Sequence, residues 1–122
     1  MPSILIVEDE AATAWALAES LSDEGYAITT VGTAEAALEA FKQKPADLVI
    51  TDVRLPRMDG VELARRLGAR KRPAPVIVVS AYGDEHVLRR IEELGVHAYF
   101  PKPFQMDHLR KSVQAALRLK AA

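Results

Sequence analysis

The chain has 122 residues, of which 49% are hydrophobic, and a formal net charge of -1. This length allows one domain, residues 1–122, with a small core, and the near-neutral charge gives the whole molecule no attraction for nucleic acid or an anionic membrane. Cysteine is absent, which excludes disulfides, thiolate catalysis and Cys-based zinc sites, and no apolar run approaches the roughly 20 residues of a membrane-spanning helix, so we expect a soluble cytoplasmic protein.

Short apolar segments alternate with segments of helical periodicity along the whole sequence. The apolar segments are mostly β-branched or aromatic, which predicts strands. The five predicted strands cover residues 3–7, 26–31, 47–51, 75–80 and 97–100.

The first two connections predict helices with one buried face. The first helix covers residues 11–24 and ends at Gly25, a residue typical of helix C-termini. On this helix we expect Trp15 to pack against the sheet. The second helix follows Thr33, whose hydroxyl suits an N-cap.

The remaining connections predict three further helices. The third covers residues 59–70, with Asp59 near its start, and the fourth follows Asp84 as a predicted N-cap. The fifth carries an apolar stripe from Met106 to Leu117.

Strand and helix alternate five times, which favours a parallel sheet with helices on both faces. The predicted fold is a flavodoxin-like α/β three-layer sandwich with five strands and five helices. The first and fourth strands are apolar throughout and should be central, whereas Thr29 and Thr30 indicate an edge strand. The strand order is then 2-1-3-4-5, and a site is expected where the first and third strands end.

Polar side chains follow four of these strands. Glu8 and Asp9 follow the first, Asp52 the third, Ser80 ends the fourth, and Lys102 follows the fifth. Three carboxylates in one place repel each other unless protons or a cation offset them, and Mg²⁺ prefers such oxygen ligands. A carboxylate nucleophile, a metal, a lysine and a hydroxyl are the parts needed to form an aspartyl phosphate.

These residues resemble the receiver domain of the bacterial two-component response regulators, and the resemblance covers essentially the whole chain. The matching motifs are Val7-Glu8-Asp9-Glu10, Asp52 with Leu55-Pro56 and Met58-Asp59-Gly60, Ser80-Ala81, Tyr99, and Lys102-Pro103-Phe104.

The resemblance implies that Asp52 accepts a phosphoryl group from a phosphohistidine on a sensor histidine kinase or phosphotransfer protein. It implies Mg²⁺ held by Asp9, Asp52 and the backbone carbonyl of Arg54, with Glu8 binding directly or through water. It also implies that the peptide bond between Lys102 and Pro103 is cis.

The resemblance further implies a switch in which Ser80 and Tyr99 respond to the phosphoryl group. That switch would alter the surface of the fourth helix, fifth strand and fifth helix, where a downstream target binds. Arg54 and Tyr82 occupy positions that tune phosphoryl lifetime in the family, and we hypothesise that these two large side chains obstruct water and slow hydrolysis.

Several alternatives stay open at this point. An aspartyl-phosphate phosphohydrolase would want an aspartate where Arg54 stands, and a flavin or nucleotide carrier would not place Glu8-Asp9-Glu10 at its phosphate loop. We expect the chain to catalyse only its own phosphorylation and the hydrolysis of its own aspartyl phosphate, and not to be an enzyme otherwise. It is either a stand-alone regulator or the N-terminal receiver of a longer DNA-binding protein, and either a monomer or a phosphorylation-dependent dimer.

The basic residues of the third helix and the loop after it are typical of a solvated face, so we expect no nucleic acid binding there. They are Arg65, Arg66, Arg70, Lys71 and Arg72.

Overall fold

The computed structural model describes residues 1–81 and 85–121. Strands and helices alternate along it as predicted, and their ends differ from the predicted ones by one or two residues. The strands are β1 (Ser3–Val7), β2 (Ala27–Val31), β3 (Leu48–Asp52), β4 (Val76–Ser80) and β5 (Ala98–Pro101). The helices are α1 (Ala11–Ser22), α2 (Ala34–Gln43), α3 (Gly60–Gly68), α4 (Glu85–Leu94) and α5 (Met106–Ala121).

The five strands form one parallel sheet in the order β2-β1-β3-β4-β5. The predicted flavodoxin-like fold and strand order are therefore confirmed. β3 and β4 are buried along their whole length, whereas Thr29 and Thr30 of the edge strand β2 are exposed. Because the strands are parallel, the carboxyl ends of β1, β3 and β4 meet at one edge of the sheet.

Helices cover both faces of the sheet and enclose two hydrophobic clusters. One cluster joins α2, α3 and α4 to the sheet and includes Phe41, Leu67 and Ile91. The other joins α1 and α5 to the opposite face and includes Leu17 and Val113. These helices fix the strand ends in space, so the side chains that follow the strands are positioned by a packed core.

One of the two predicted helix N-caps, Thr33, is confirmed, and Asp59, predicted near the start of the third helix, is the N-cap of α3. The Thr33 hydroxyl accepts a hydrogen bond from the Ala36 N–H at 3.0 Å, and an Asp59 oxygen accepts one from the Glu62 N–H at 2.8 Å. The other predicted cap, Asp84, lies outside the described residues. Each observed cap satisfies a donor that a helix N-terminus leaves without an intrahelical partner.

The prediction that Trp15 packs against the sheet is wrong. Its side chain is 67% exposed, and α1 instead buries Leu17 and Leu21. Trp15 precedes Leu17 by two positions, which turns it about 200° around the helix axis, away from the buried face.

None of the helices within residues 1–81 and 85–121 is both long enough and apolar enough to cross a membrane.

Candidate active site

Asp52 is the last residue of β3 and is 7% exposed. One of its carboxylate oxygens, Oδ1, accepts a hydrogen bond from the Arg54 N–H at 3.1 Å. The other, Oδ2, accepts one from the Lys102 ammonium at 2.7 Å. The carboxylate therefore sits at the end of the strand, oriented by the turn that follows it and neutralised by a lysine fifty positions away in the chain.

Lys102 connects the ends of three strands. Its backbone N–H donates to the carbonyl of Ser80 at 2.7 Å, and its Nζ contacts Glu8 Oε1 at 2.6 Å as well as Asp52. Its peptide bond to Pro103 is cis, which confirms the prediction. Burial opposes the charged ammonium, but the hydrogen bonds to Asp52 and Glu8 outweigh it, and the pKa of Lys102 is raised.

Glu8 is a buried carboxylate with one oxygen left without a partner. It is 4% exposed, and while Oε1 binds Lys102, Oε2 is buried with no hydrogen-bond donor. Desolvation is the main cause that raises the pKa of Glu8, and the neighbouring charge of Asp52 adds to it against the hydrogen bond from Lys102. An orphaned buried carboxylate oxygen is costly, and a proton or a cation would relieve it.

Asp9 stands apart from this group, because its side chain is exposed while that of Glu8 is buried. Glu10 is also exposed and accepts a hydrogen bond from the Thr13 hydroxyl at 2.6 Å, at the start of α1. Within the part of the chain that the structure describes, no three acidic or histidine side chains are arranged to hold a metal ion. The structure thus brings together Glu8, Asp52 and Lys102, and leaves Asp9 at the solvent side.

Ser80 lies on β4, which pairs with the strand of Asp52, and Tyr99 lies on β5, the next strand beyond β4. Ser80 ends β4 and is fully buried. Tyr99, on β5, is half-buried against the cluster beneath α2, α3 and α4, and its hydroxyl is buried without a hydrogen-bond partner. Burial, and then the charge of Asp52, raise the pKa of Tyr99, so the phenol lies within electrostatic reach of the carboxylate.

Of the two residues expected to tune phosphoryl lifetime, only one can be placed. The Arg54 side chain is exposed, two residues after Asp52, while its N–H orients the Asp52 carboxylate. Tyr82 lies outside the described residues.

Gly60 has a structural role at the site that the sequence analysis does not predict, since Gly60 enters that analysis only as part of the motif Met58-Asp59-Gly60. It is the first residue of α3, and a Cβ on it would lie 1.9 Å from the backbone oxygen of Asp52. That same oxygen accepts a hydrogen bond from the Thr51 hydroxyl at 2.9 Å, and the Gly60 N–H donates to the Val53 carbonyl at 2.8 Å. The signal available in the sequence is a glycine directly after the Asp59 cap, where a residue of higher helix propensity would otherwise be favoured.

A groove of about 380 Å³ runs from the acidic residues along α1. Its lining includes Glu8, Asp9, the exposed Trp15, Val31 and Gly32. Since Trp15 is the only tryptophan of the chain, its fluorescence is a natural reporter of events at this end of the sheet.

The sheet order and the lysine-neutralised aspartate at the carboxyl end of β3 place the chain among signal receiver domains. A family model, the response regulator receiver domain, matches residues 4–114. The chain belongs to this family.

Individual relatives agree with this assignment. The chain is 38% identical over 115 residues to the transcriptional regulatory protein PdtaR of Mycobacterium tuberculosis, covering 93% of the chain and 56% of that protein. It is 34% identical over 118 residues to sporulation initiation phosphotransferase F of Bacillus subtilis, covering 97% of the chain and 95% of that protein. The chain therefore spans about half of the first relative and nearly all of the second.

Solved structures resemble the fold closely. The signal receiver domain of a putative LuxO repressor protein from Vibrio parahaemolyticus has a TM-score of 0.92 at 28% identity, covering 98% of this chain and 92% of that one. A CheY-like response regulator receiver domain protein from Methanospirillum hungatei has a TM-score of 0.94 at 26% identity, covering 99% and 97%.

Proposed function

We propose that the chain is a phosphorylation-activated switch of a two-component or phosphorelay system, in which Asp52 accepts the phosphoryl group. The observation that carries the proposal is the buried Asp52 carboxylate with the Lys102 ammonium 2.7 Å from Oδ2, in a chain of the receiver family. The family supplies the class of partner, a histidine kinase or phosphotransfer protein. The cytoplasmic location expected from the sequence stays a prediction.

The transfer needs positioning and charge neutralisation more than covalent chemistry. An oxygen of Asp52 forms a bond to phosphorus as the bond from phosphorus to the donor histidine nitrogen breaks, and the imidazole leaves with that electron pair. Lys102 then exchanges its contact with the Asp52 carboxylate for one with a phosphoryl oxygen, and the Ser80 hydroxyl donates to the same group.

The residues at the site fit a magnesium ion. Glu8 Oε2 is buried without a donor, and Asp52 supplies a second carboxylate bound to the same ammonium. Mg²⁺ commonly uses only one or two protein carboxylates and completes its octahedron with water and phosphate oxygens. Glu8, Asp52 and the backbone carbonyl of Arg54 would hold the ion, and the exposed Asp9 would contact it through water. The ion would offset the charge of the phosphoryl oxygens.

Intact-protein mass spectrometry after incubation with acetyl phosphate tests the proposal. We expect a phosphoryl adduct on the native chain that requires Mg²⁺ and disappears in Asp52→Asn. Asp59→Asn is the matched control, because it makes the same chemical change in the same loop and asparagine keeps the N-cap of α3. An adduct that persists in Asp52→Asn, or one that is lost equally in Asp59→Asn, would refute Asp52 as the acceptor.

The proposed output is a change at the surface formed by α4, β5 and α5, where a downstream target binds. The support is the position of Tyr99, whose strand follows α4 and pairs with the strand that ends in Ser80. Amide chemical shifts of a ¹⁵N-labelled sample test this. Addition of acetyl phosphate and Mg²⁺ should move the signals of Tyr99 and Leu94 in the native protein and leave them in place in Asp52→Asn. Shifts confined to the β1 and β3 ends would contradict the proposed surface.

Slow decay of the phosphoryl group is a further proposal, which rests on the large side chains of Arg54 and Tyr82. Replacing both by alanine should accelerate loss of the adduct, because water then reaches the phosphorus more easily. An unchanged decay rate would contradict it. The oligomeric state is a separate question. Size-exclusion chromatography of the chain with and without acetyl phosphate tests for a phosphorylation-dependent dimer.

A further inference from the structure

The amino edge of the sheet, opposite the phosphoacceptor, carries a groove lined by positive charge. We call it the basic groove. It has a volume of about 560 Å³ and is lined by Phe41, Pro45, Ala46, Asp47, Arg70, Lys71 and Arg72. Asp47 precedes β3 and Asp52 ends it, so the groove lies about 17 Å from the phosphoacceptor at the rise of a strand.

The cations of this groove are not neutralised within the described part of the chain. Lys71 and Arg72, together with Lys42 and Lys44 at the end of the neighbouring helix α2, are exposed and form no ion pair with any described residue. The formal net charge of the whole chain is only -1, so the groove is a local concentration of charge. Such a concentration attracts acidic ligands at ranges up to the Debye length.

The arginines of α3 near the groove, unlike the cations of the groove, are paired with a carboxylate. Arg65 and Arg66 lie 2.6 and 2.9 Å from the carboxylate of Glu62. Hydrogen bonds from these two arginines lower the pKa of Glu62 to about 2. Helix-dipole compensation also fails to explain the groove, because Lys71 and Arg72 lie beyond the last turn of α3, which ends at Gly68.

One cation of the groove is held in place by an aromatic ring. The Arg70 guanidinium carbon lies 5.0 Å from the centre of the Phe41 ring, and Phe41 itself is 1% exposed. A cation at this distance over an aromatic ring is attracted to the ring face, and the N–H groups of a guanidinium can bind a carboxylate with two parallel hydrogen bonds.

We propose that the basic groove binds an acidic peptide segment of a partner protein, with aspartate or glutamate side chains paired to Arg70, Lys71 and Arg72. The groove also contains the carboxylate of Asp47, which accepts a hydrogen bond from the Ser3 N–H at 2.8 Å. A peptide suits this lining because it brings N–H donors as well as carboxylates.

Nucleic acid suits the groove less well for two reasons. Asp47 would repel a continuous phosphate backbone, and Phe41 is buried beneath Arg70, so the groove presents no aromatic platform on which a base could stack. The ligand class favoured by the lining is therefore an acidic peptide.

Fluorescence anisotropy of a fluorescein-labelled oligoglutamate peptide, titrated with the full chain at about 0.05 M salt, tests the proposal. We expect saturable binding that the double variant Lys71→Glu/Arg72→Glu weakens at least about tenfold. The control is Lys111→Glu/Arg118→Glu, which makes the same change of net charge at exposed positions of α5, on the opposite face of the sheet. This control should weaken binding less than about twofold.

Each other outcome overturns the proposal. No binding of the peptide means that the groove is a solvated face. Equal weakening by the α5 control means general electrostatic attraction without a site. Tighter groove-dependent binding of a single-stranded RNA of equal charge would assign the groove to nucleic acid. Circular dichroism and acetyl phosphate labelling of both variants verify the fold. Arg70→Lys keeps the charge but loses the forked N–H donors of the guanidinium, and it should weaken peptide binding by a factor between those of the control and the double variant.

Discussion

Replacing Gly60 by alanine is the most direct test of how the loop after Asp52 is packed. The added Cβ would lie 1.9 Å from the backbone oxygen of Asp52, 2.8 Å from its carbonyl carbon and 3.0 Å from the Cα of Val53. All three are backbone atoms, so a flexible side chain cannot relieve the clash by rotating. Either α3 must begin further from β3, or the carbonyl of Asp52 must turn, which would also disturb its hydrogen bond from the Thr51 hydroxyl.

The loss in free energy of unfolding caused by Gly60→Ala can be estimated from three contributions. Forcing an extra methyl into a packed site costs about 1–3 kcal/mol, and weakening the hydrogen bond from the Gly60 N–H to the Val53 carbonyl adds about 1 kcal/mol. The better helix propensity of alanine offsets about 0.5–1 kcal/mol. The net loss is about 1–3.5 kcal/mol, which for a domain of this size lowers Tm by about 4–14 °C.

Thermal unfolding followed by circular dichroism measures this loss, and Gly68→Ala is the matched control. Gly68 ends the same helix, and a Cβ on it would have no atom within 4 Å. That variant should be as stable as the native protein or more stable by about 0.5 kcal/mol in free energy of unfolding, so its Tm should be unchanged or slightly higher. If Gly60→Ala and Gly68→Ala unfold at the same temperature, the close approach of α3 to Asp52 is not what the structure describes.

Three further predictions concern the charged and polar groups of the site. Tyr99→Phe should raise the free energy of unfolding by about 1 kcal/mol, because it removes a buried hydroxyl without a partner; lower stability in urea unfolding would contradict this. Lys102→Met should bind Mg²⁺ about tenfold more tightly in titration calorimetry, because the variant removes a cation beside Glu8 and Asp52. Its labelling by acetyl phosphate should be slower than that of the native protein. Weaker Mg²⁺ binding would contradict the proposal that Lys102 and Mg²⁺ contact the same two carboxylates. The raised pKa of Glu8 means that the folded state holds the Glu8 proton more tightly than the unfolded state does. The contribution of Glu8 to the free energy of unfolding is therefore fully present below pH 4.5 and is lost as pH rises through the folded-state pKa. Glu8→Gln should therefore flatten the fall of Tm above pH 4.5 in Mg²⁺-free buffer, and parallel curves for the two proteins would refute the burial argument.

The fold could be predicted from the sequence because its strands are uninterrupted apolar segments and its helices have a single buried face. Helix ends were less predictable: α1 was extended to residue 24, but it ends at Ser22 and the chain then turns through Gly25 with a φ of 93°. The prediction for Trp15 is wrong because a bulky aromatic side chain on a helix is not buried by its type alone: the positions of Leu17 and Leu21 decide which side of α1 faces the sheet. Periodicity is a better guide than side-chain size when the two disagree.

The site was predictable only to the level of strand ends. Parallel strands bring Glu8, Asp52 and Lys102 to one edge whatever the details, and the structure places them together. The sequence could not show which of the two adjacent acids turns inward. The Glu8 N–H bonds to the Val31 carbonyl and so continues the pairing of β1 with β2 by one residue, which leaves Asp9 as the first residue outside the sheet.

The charges around Lys102 explain why the proposed switch should depend on a divalent cation. In the structure one ammonium serves two carboxylates, those of Glu8 and Asp52, and Glu8 Oε2 already lacks a partner. A phosphoryl group on Asp52 would replace one negative charge by about two, in a pocket where the acids are largely withdrawn from water. One lysine cannot offset that increase, because its single ammonium already binds both carboxylates. We therefore expect a cation to enter with the phosphoryl group. We expect the rearrangement of Lys102 to affect β4 and β5, the strands that carry Ser80 and Tyr99, because Lys102 follows β5 and its N–H is bound to the Ser80 carbonyl at the end of β4.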